Sequence, residues 1–154
     1  MIDLTKGVPV ITAEHPTTFE EFWPFFVSQH LHPKTRAVHA LGAFIYTSGS
    51  TALFLGARRR RAIFGAMLLA GAVQLMSHRI YEKNKAIDTD RVARPRYHWI
   101  IIGDYRMVAK MLNGTIEEDV AQVREALGLK PDQVTLFDAG ITPSTWGREG
   151  DTNI

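Results

Sequence analysis

The 154-residue chain contains no cysteine. Disulfide scaffolds, cysteine-ligated zinc, iron–sulfur clusters and thiol nucleophiles are excluded with it. A dominant charge is missing too: Lys plus Arg is 18 and Asp plus Glu is 16, a formal net charge of +2. Neither a strongly basic nucleic-acid binder nor an acidic disordered segment has that balance, so no nucleic-acid partner is expected. No internal repeat, P-loop, Gly-rich dinucleotide turn, His-Glu-x-x-His pair or serine nucleophile elbow is present. Met1 to Val8 holds Asp3 and Lys6 and lacks an apolar stretch, so no cleaved signal peptide is expected. The length fits one domain, and 45% apolar residues suffice for a core.

What is present is unevenly distributed. Ala37 to Ala57 carries no charged residue, Arg58 to Arg61 follow as a block, and Ala62 to Ser77 is again uncharged. A helix needs about 20 mostly apolar residues to cross a bilayer. The first run has that length; the second has it when His78 to Tyr81 are included. The pattern predicts an apolar helical hairpin (about 37–57 and 62–81) with the arginines at its tip, held at a membrane face by the positive-inside rule. Small residues at Ser48, Ala52 and Gly56, at Gly42, Gly49 and Gly56, and at Ala66 and Ala70 would let two helix backbones approach closely. A buried hairpin in a soluble bundle is the competing reading.

The flanking segments also read as helical. Thr17 with Glu20 and Thr18 with Glu21 form two overlapping capping boxes. They open a helix bearing Phe19, Phe22, Trp23, Phe25 and Phe26, which suits either a membrane interface or an aromatic core. Pro24 is expected to kink or shorten it, and Pro33 to separate it from the next helix. Tyr97 to Leu112 reads as a further helix ended by Asn113-Gly114, and Thr115 with Glu118 as the capping box of an amphipathic helix ended by Gly128. Ile116, Val120, Val123 and Leu127 share one face of that helix. The fold class is therefore all-α, a bundle built on the apolar hairpin with flanking amphipathic helices. Its segments are a polar N-terminus (1–16), a membrane-associated helical domain (17–114), and a C-terminal amphipathic helix with an irregular tail (115–154).

Chemistry points to the histidines. His39 lies 19 residues before the Arg block and His78 lies 17 after it, so both sit about 26 to 29 Å from the hairpin tip at 1.5 Å per residue. The hairpin brings them level. Glu82 follows His78 by four, on the same helix face, and His30 can fold back across the Pro33 break. Three imidazoles and a carboxylate suit iron, zinc or manganese, although buried polar pairing without metal has the same spacing. His15 and His32 read as solvent-facing. Lys83, Asn84, Lys85, Arg91, Arg94 and Arg96 form a basic stretch that is either a cationic mouth for a carboxylate or a flank on an anionic membrane. Asp104 and Arg106 lie in an otherwise apolar helix, where Asp104 needs a partner such as Arg36 or a neighbour of Arg106.

His30-Leu31-His32-Pro33 with Arg36 and His39-Ala40-Leu41-Gly42, then Ser77-His78, Glu82-Lys83-Asn84, Pro95 and Gly103-Asp104-Tyr105-Arg106-Met107, resemble the motifs of the domain of unknown function 962 family. The likeness runs from about Phe19 to Gly114. Thr35 stands where the family pattern has Asn, and Ala86-Ile87 where it has Pro-Ala. The family's characterised type is a fungal iron(II)-dependent dioxygenase of the endoplasmic-reticulum membrane, which shortens 2-hydroxy fatty acids by one carbon in phytosphingosine breakdown. The resemblance implies Fe(2+) held by His30, His39 and His78. Glu82 would be a fourth ligand or orient His78. Lys83 or Arg36 would hold the substrate carboxylate, with His32 and His98 as further ligand candidates and Asp104, Arg106 and Asn84 around the ligands. Its partners would be membrane lipid, a long-chain 2-hydroxy fatty acid and dioxygen; a homo-oligomer is compatible with the sequence. Two other classes share the features: a non-catalytic membrane hairpin scaffold or lipid-binding module, and a zinc hydrolase acting on lipid.

Overall fold

The computed structural model describes residues 16–83 and 97–140, and these are helical with no strand. The elements are α1 (Phe19–Ser28), α2 (Pro33–Phe54), α3 (Arg60–Ser77), which continues as a π-helical turn over His78–Glu82, α4 (Tyr97–Leu112) and α5 (Ile116–Ala126). Helices α2 and α3 pack along each other as the expected hairpin, α4 lies against α2, and α5 against α1.

Thr18 caps α1 in a capping box with Glu21. The second expected box, Thr17 with Glu20, does not form. Thr17 also binds Glu21, through its N–H at 2.7 Å and its hydroxyl at 3.0 Å, while Glu20 pairs with Arg106 at 2.7 Å. Pro24 does not shorten the helix, which runs on to Ser28. Phe22, Trp23, Phe26 and Val27 are buried on either side of Pro24, and their packing outweighs the hydrogen bond that proline cannot donate. The aromatic residues are thus core. They join Leu31, Trp99, Met107, Ile116, Val120, Val123 and Leu136 in one apolar cluster formed by α1, the corner after it, α4, α5 and the segment after α5.

Three helices end in the same way. Gly56, Gly114 and Gly128 take positive φ, and each is followed by a residue whose N–H reaches back to the helix: Ala57 to the Ala52 carbonyl, Thr115 to Lys110, Leu129 to Arg124. This is the Schellman closure that glycine allows at no steric cost. It corrects two expectations. Gly56 is a turn residue rather than part of a packing stripe, and Ser48 is exposed, so the four-residue stripe does not pack. Thr115 is occupied in closing α4, its backbone is helical, and its side chain makes no capping bond to α5. The seven-residue spacing does serve the hairpin. Gly42 lies under Gln74 of α3, and Gly49 under Met67 and Ile63.

The hairpin's outer surface is apolar along its length. Leu41, Phe44, Phe54, Phe64, Leu68, Leu69, Val73 and Met76 are all exposed, Phe54 at 90%. Among the described residues one segment, Arg60–Glu82, is long and apolar enough to cross a membrane, and only 22% of its most apolar stretch is buried. Helix α2, which ends at Phe54 within the Ala37 to Ala57 run, is not among the segments apolar enough to cross, and His39, Thr47, Ser48, Ser50 and Thr51 are the polar residues in that run.

Candidate metal centre

The root of the hairpin brings three histidines together. His30 lies in the corner after α1, His39 on the second turn of α2, and His78 at the start of the π-turn, each buried. One ligand-capable nitrogen from each falls within 4.8 Å of the others. The rings meet edge to face, with centroids 4.5 Å apart for His30 and His39, 4.7 Å for His30 and His78, and 5.0 Å for His39 and His78. Phe26 stacks on His30 at 4.2 Å and walls the group off toward the aromatic core.

Hydrogen bonds fix the tautomers of two of the three. His30 Nδ1 lies 2.7 Å from the Phe26 carbonyl, which can only accept, so Nδ1 carries the proton and Nε2 the lone pair. His39 Nδ1 donates to Asp104 Oδ1 at 2.8 Å, leaving its Nε2 likewise free. His39 Nε2 then meets His78 Nε2 at 3.1 Å. Two nitrogens on one ion at about 2.1 Å each lie about 3.0–3.4 Å apart, so the spacing fits shared coordination. His30 Nε2 and His78 Nδ1 are buried without a hydrogen-bond partner. An orphaned polar nitrogen in a dry interior, such as the His30 Nε2 lone pair, is costly unless a partner or cation meets it. Burial first, then the neighbouring His39 and His78, hold the His30 imidazole well below its ordinary value and keep it in the neutral form that binds metal. These three buried histidines could hold a metal ion.

Asp104 completes a carboxylate–histidine pair, an arrangement that orients metal-bound imidazoles. Its partner is His39, not Arg36 and not a neighbour of Arg106. Arg36, 3% exposed, donates instead to the His30 and Leu31 carbonyls at 3.1 and 2.6 Å and to Glu117 of α5 at 2.6 Å. It therefore holds the corner that carries His30. Arg106 lies on the α1 side, paired with Glu20 and set over the Trp23 ring.

Glu82 is buried one turn below His78 but outside the group of converging nitrogens. Its Oε1 accepts the His32 N–H at 2.8 Å, tying the π-turn to the His30 corner, while Oε2 has no hydrogen-bond partner. The π-turn itself is the local irregularity often found at functional sites, and it ends where Lys83 takes positive φ. Lys83 is exposed, 3.7 Å from Asp138 and over the Phe137 ring. His32 caps α2 and stacks on Tyr81, and His98 is exposed, so neither joins the cluster. Asn84, Lys85, Arg91, Arg94, Arg96 and His15 lie outside the described residues.

The sequence did not reveal the roles of Glu117, Gln74 and Phe26. Glu117 lies 81 residues from Arg36, and only the docking of α5 joins them. Gln74 had a signal in the bare Gly42 opposite it.

A compact helical base with three converging buried histidines, set at the root of an exposed apolar hairpin, defines a small all-α protein with a candidate metal centre. Over residues 16–116 the chain matches the Mpo1-like family, described as 2-hydroxy-palmitic acid dioxygenase Mpo1-like, and it belongs to that family. The matched region contains α1 to α4 and every residue of the histidine cluster. No curated protein and no solved structure gives a significant match.

Proposed function

We propose that the protein is a membrane-embedded, iron(II)-dependent dioxygenase that shortens long-chain 2-hydroxy fatty acids by one carbon. The observation that carries this reading is the His30, His39 and His78 cluster, with its orphaned nitrogens, inside the segment that matches the family. Imidazoles with no sulfur donor nearby suit iron, and three of them leave positions for other ligands. Bound iron(II) would supply a centre at which dioxygen and the 2-hydroxy acid react. The chain's own part is to hold and shield that centre. Asp104 fixes His39 in the Nδ1–H tautomer, the Phe26 carbonyl does the same for His30, and Arg36 braces the corner between them. Phe26 and the aromatic core behind it exclude water. Glu82 secures the π-turn against His32.

The exposed apolar hairpin supports a membrane location. Its outer residues would cost about 25 cal/mol for each Å² held in water, a cost that a bilayer removes. In the bilayer, Arg58 to Arg61 mark one water boundary and the histidine root approaches the other. The alkyl chain of a fatty substrate would reach the site from the same apolar phase. The test is oxygen uptake by iron(II)-loaded protein given 2-hydroxypalmitate, with the shortened acid identified by mass spectrometry. Oxygen consumption matched by the acid one carbon shorter supports the reading. Turnover without oxygen would point to hydrolysis, and no turnover with iron bound would refute the activity.

A further inference from the structure

We propose that Gln74 binds the carboxylate of the fatty substrate and sets the position of its head group against the histidines; this rests on the dioxygenase reading. Three observations lead to Gln74. It is buried on the α3 face that packs against α2, four residues before His78, and so lies one turn from the cluster on the side of the apolar hairpin. The buried positions of α3 are Ala70, Gln74 and Ser77, and the Ser77 hydroxyl is already bound to the Gln74 carbonyl at 2.7 Å. The Gln74 amide is therefore the buried polar group on this face of α3 that stands between the metal layer and the apolar hairpin.

The second observation is that the opposite helix leaves room for it. A Cβ at Gly42 would lie 2.3 Å from Gln74 Nε2 and 2.5 Å from Cδ, so the amide rests on the bare backbone of α2 and any larger residue would displace it. The third concerns its hydrogen bonds. Nε2 donates to the His39 carbonyl at 3.4 Å, at the long limit for a hydrogen bond. An amide nitrogen carries two N–H donors, and this long bond holds one of them only weakly, so Nε2 can turn to a better acceptor.

A carboxylate entering from the apolar side needs a donor at this level. Among the described residues, the two cations expected in this role do not supply it: Arg36 is committed to two carbonyls and Glu117, and Lys83 is exposed beside Asp138. A neutral amide is the cheaper donor to keep beside an apolar phase when substrate is absent, and its N–H bond to an ionised carboxylate is stronger than one to a neutral acceptor. Gln74 thus takes the role expected of Lys83 or Arg36.

The test uses the iron-loaded protein in detergent, its Gln74→Leu, Gln74→Glu and Gly42→Ala variants, and two probes, 2-hydroxypalmitate and palmitate. Iron content, binding of each acid and steady-state kinetics are measured. Gln74→Leu should keep its iron, weaken binding of both acids about tenfold and raise KM more than it lowers kcat. Gln74→Glu, of the same shape but like-charged to the ligand, should bind worse still. Gly42→Ala keeps the amide but pushes it aside, and should fall between parent and Gln74→Leu. A parent that binds the acids with Gln74→Leu binding equally well would overturn the assignment alone. Loss of iron in Gln74→Leu would overturn it as well, placing Gln74 as a brace for His39. A parent that binds neither acid would overturn the assignment together with the dioxygenase reading.

Discussion

The two ends of α2 and α3 share the same helices but differ in which side their apolar residues face. At the root, Leu31, Phe26 and Met107 are buried, and polar side chains are paired across long sequence separations, as in Arg36 with Glu117 and His39 with Asp104. Toward the tip, Phe44, Phe54, Phe64, Leu68 and Leu69 face outward, and little is buried except the seam between the helices. The root has a buried apolar core and long-range ion pairs, as a soluble domain does. The tip has the inverse arrangement, with small residues between the helices and large apolar ones outside, as helices that associate in lipid do. The histidine cluster lies where the two regimes meet. A site there is walled by the aromatic core on one side and borders the apolar hairpin on the other.

The largest expected effect lies in the cluster. His39→Ala should abolish turnover while circular dichroism still shows the helical content of the parent, because the hairpin packs through Gly42 and Gly49 rather than through His39. Next comes packing, and here the two regions should differ. Leu31→Ala, at a residue 2% exposed, should cost about 2–5 kcal/mol in denaturant unfolding of the detergent-solubilised protein. Leu68→Ala, at a residue 76% exposed, should change stability by no more than about 0.5 kcal/mol. Equal losses would show that the hairpin is packed inside a soluble body. Arg36→Met should cost about 1–3 kcal/mol for each of the two buried carbonyls it leaves bare, read in the same unfolding experiment. Asp104→Asn is the mildest, lowering metal affinity about 10–100-fold in a chelator competition while the fold persists.

The convergence of His30, His39 and His78 was legible because a hairpin is a ruler: counting residues outward from the Arg tip puts two helices in register. The helix spans were legible for a similar reason, since Gly114, Gly128 and Pro33 mark their ends by backbone geometry. What could not be read were contacts made by docking. Asp104 reaches His39 because α4 packs on α2, and no local pattern fixes the rotation of α4. The Thr115 capping box failed because one residue was claimed by two helix ends, and closure of α4 took it. Pro24 misled because its local cost was weighed without the four buried neighbours that offset it. The outward-facing apolar surface was legible only as composition, since burial or exposure of a run depends on what packs against it.

The most direct test is the metal content of the protein, purified anaerobically in detergent and reconstituted with iron(II), beside its His78→Ala variant. With the proposed iron centre, close to one iron per chain is expected in the parent and a near-complete loss in the variant, with both still helical. Equal iron in the two proteins, or none in the parent, would contradict a metal centre at the root of the hairpin.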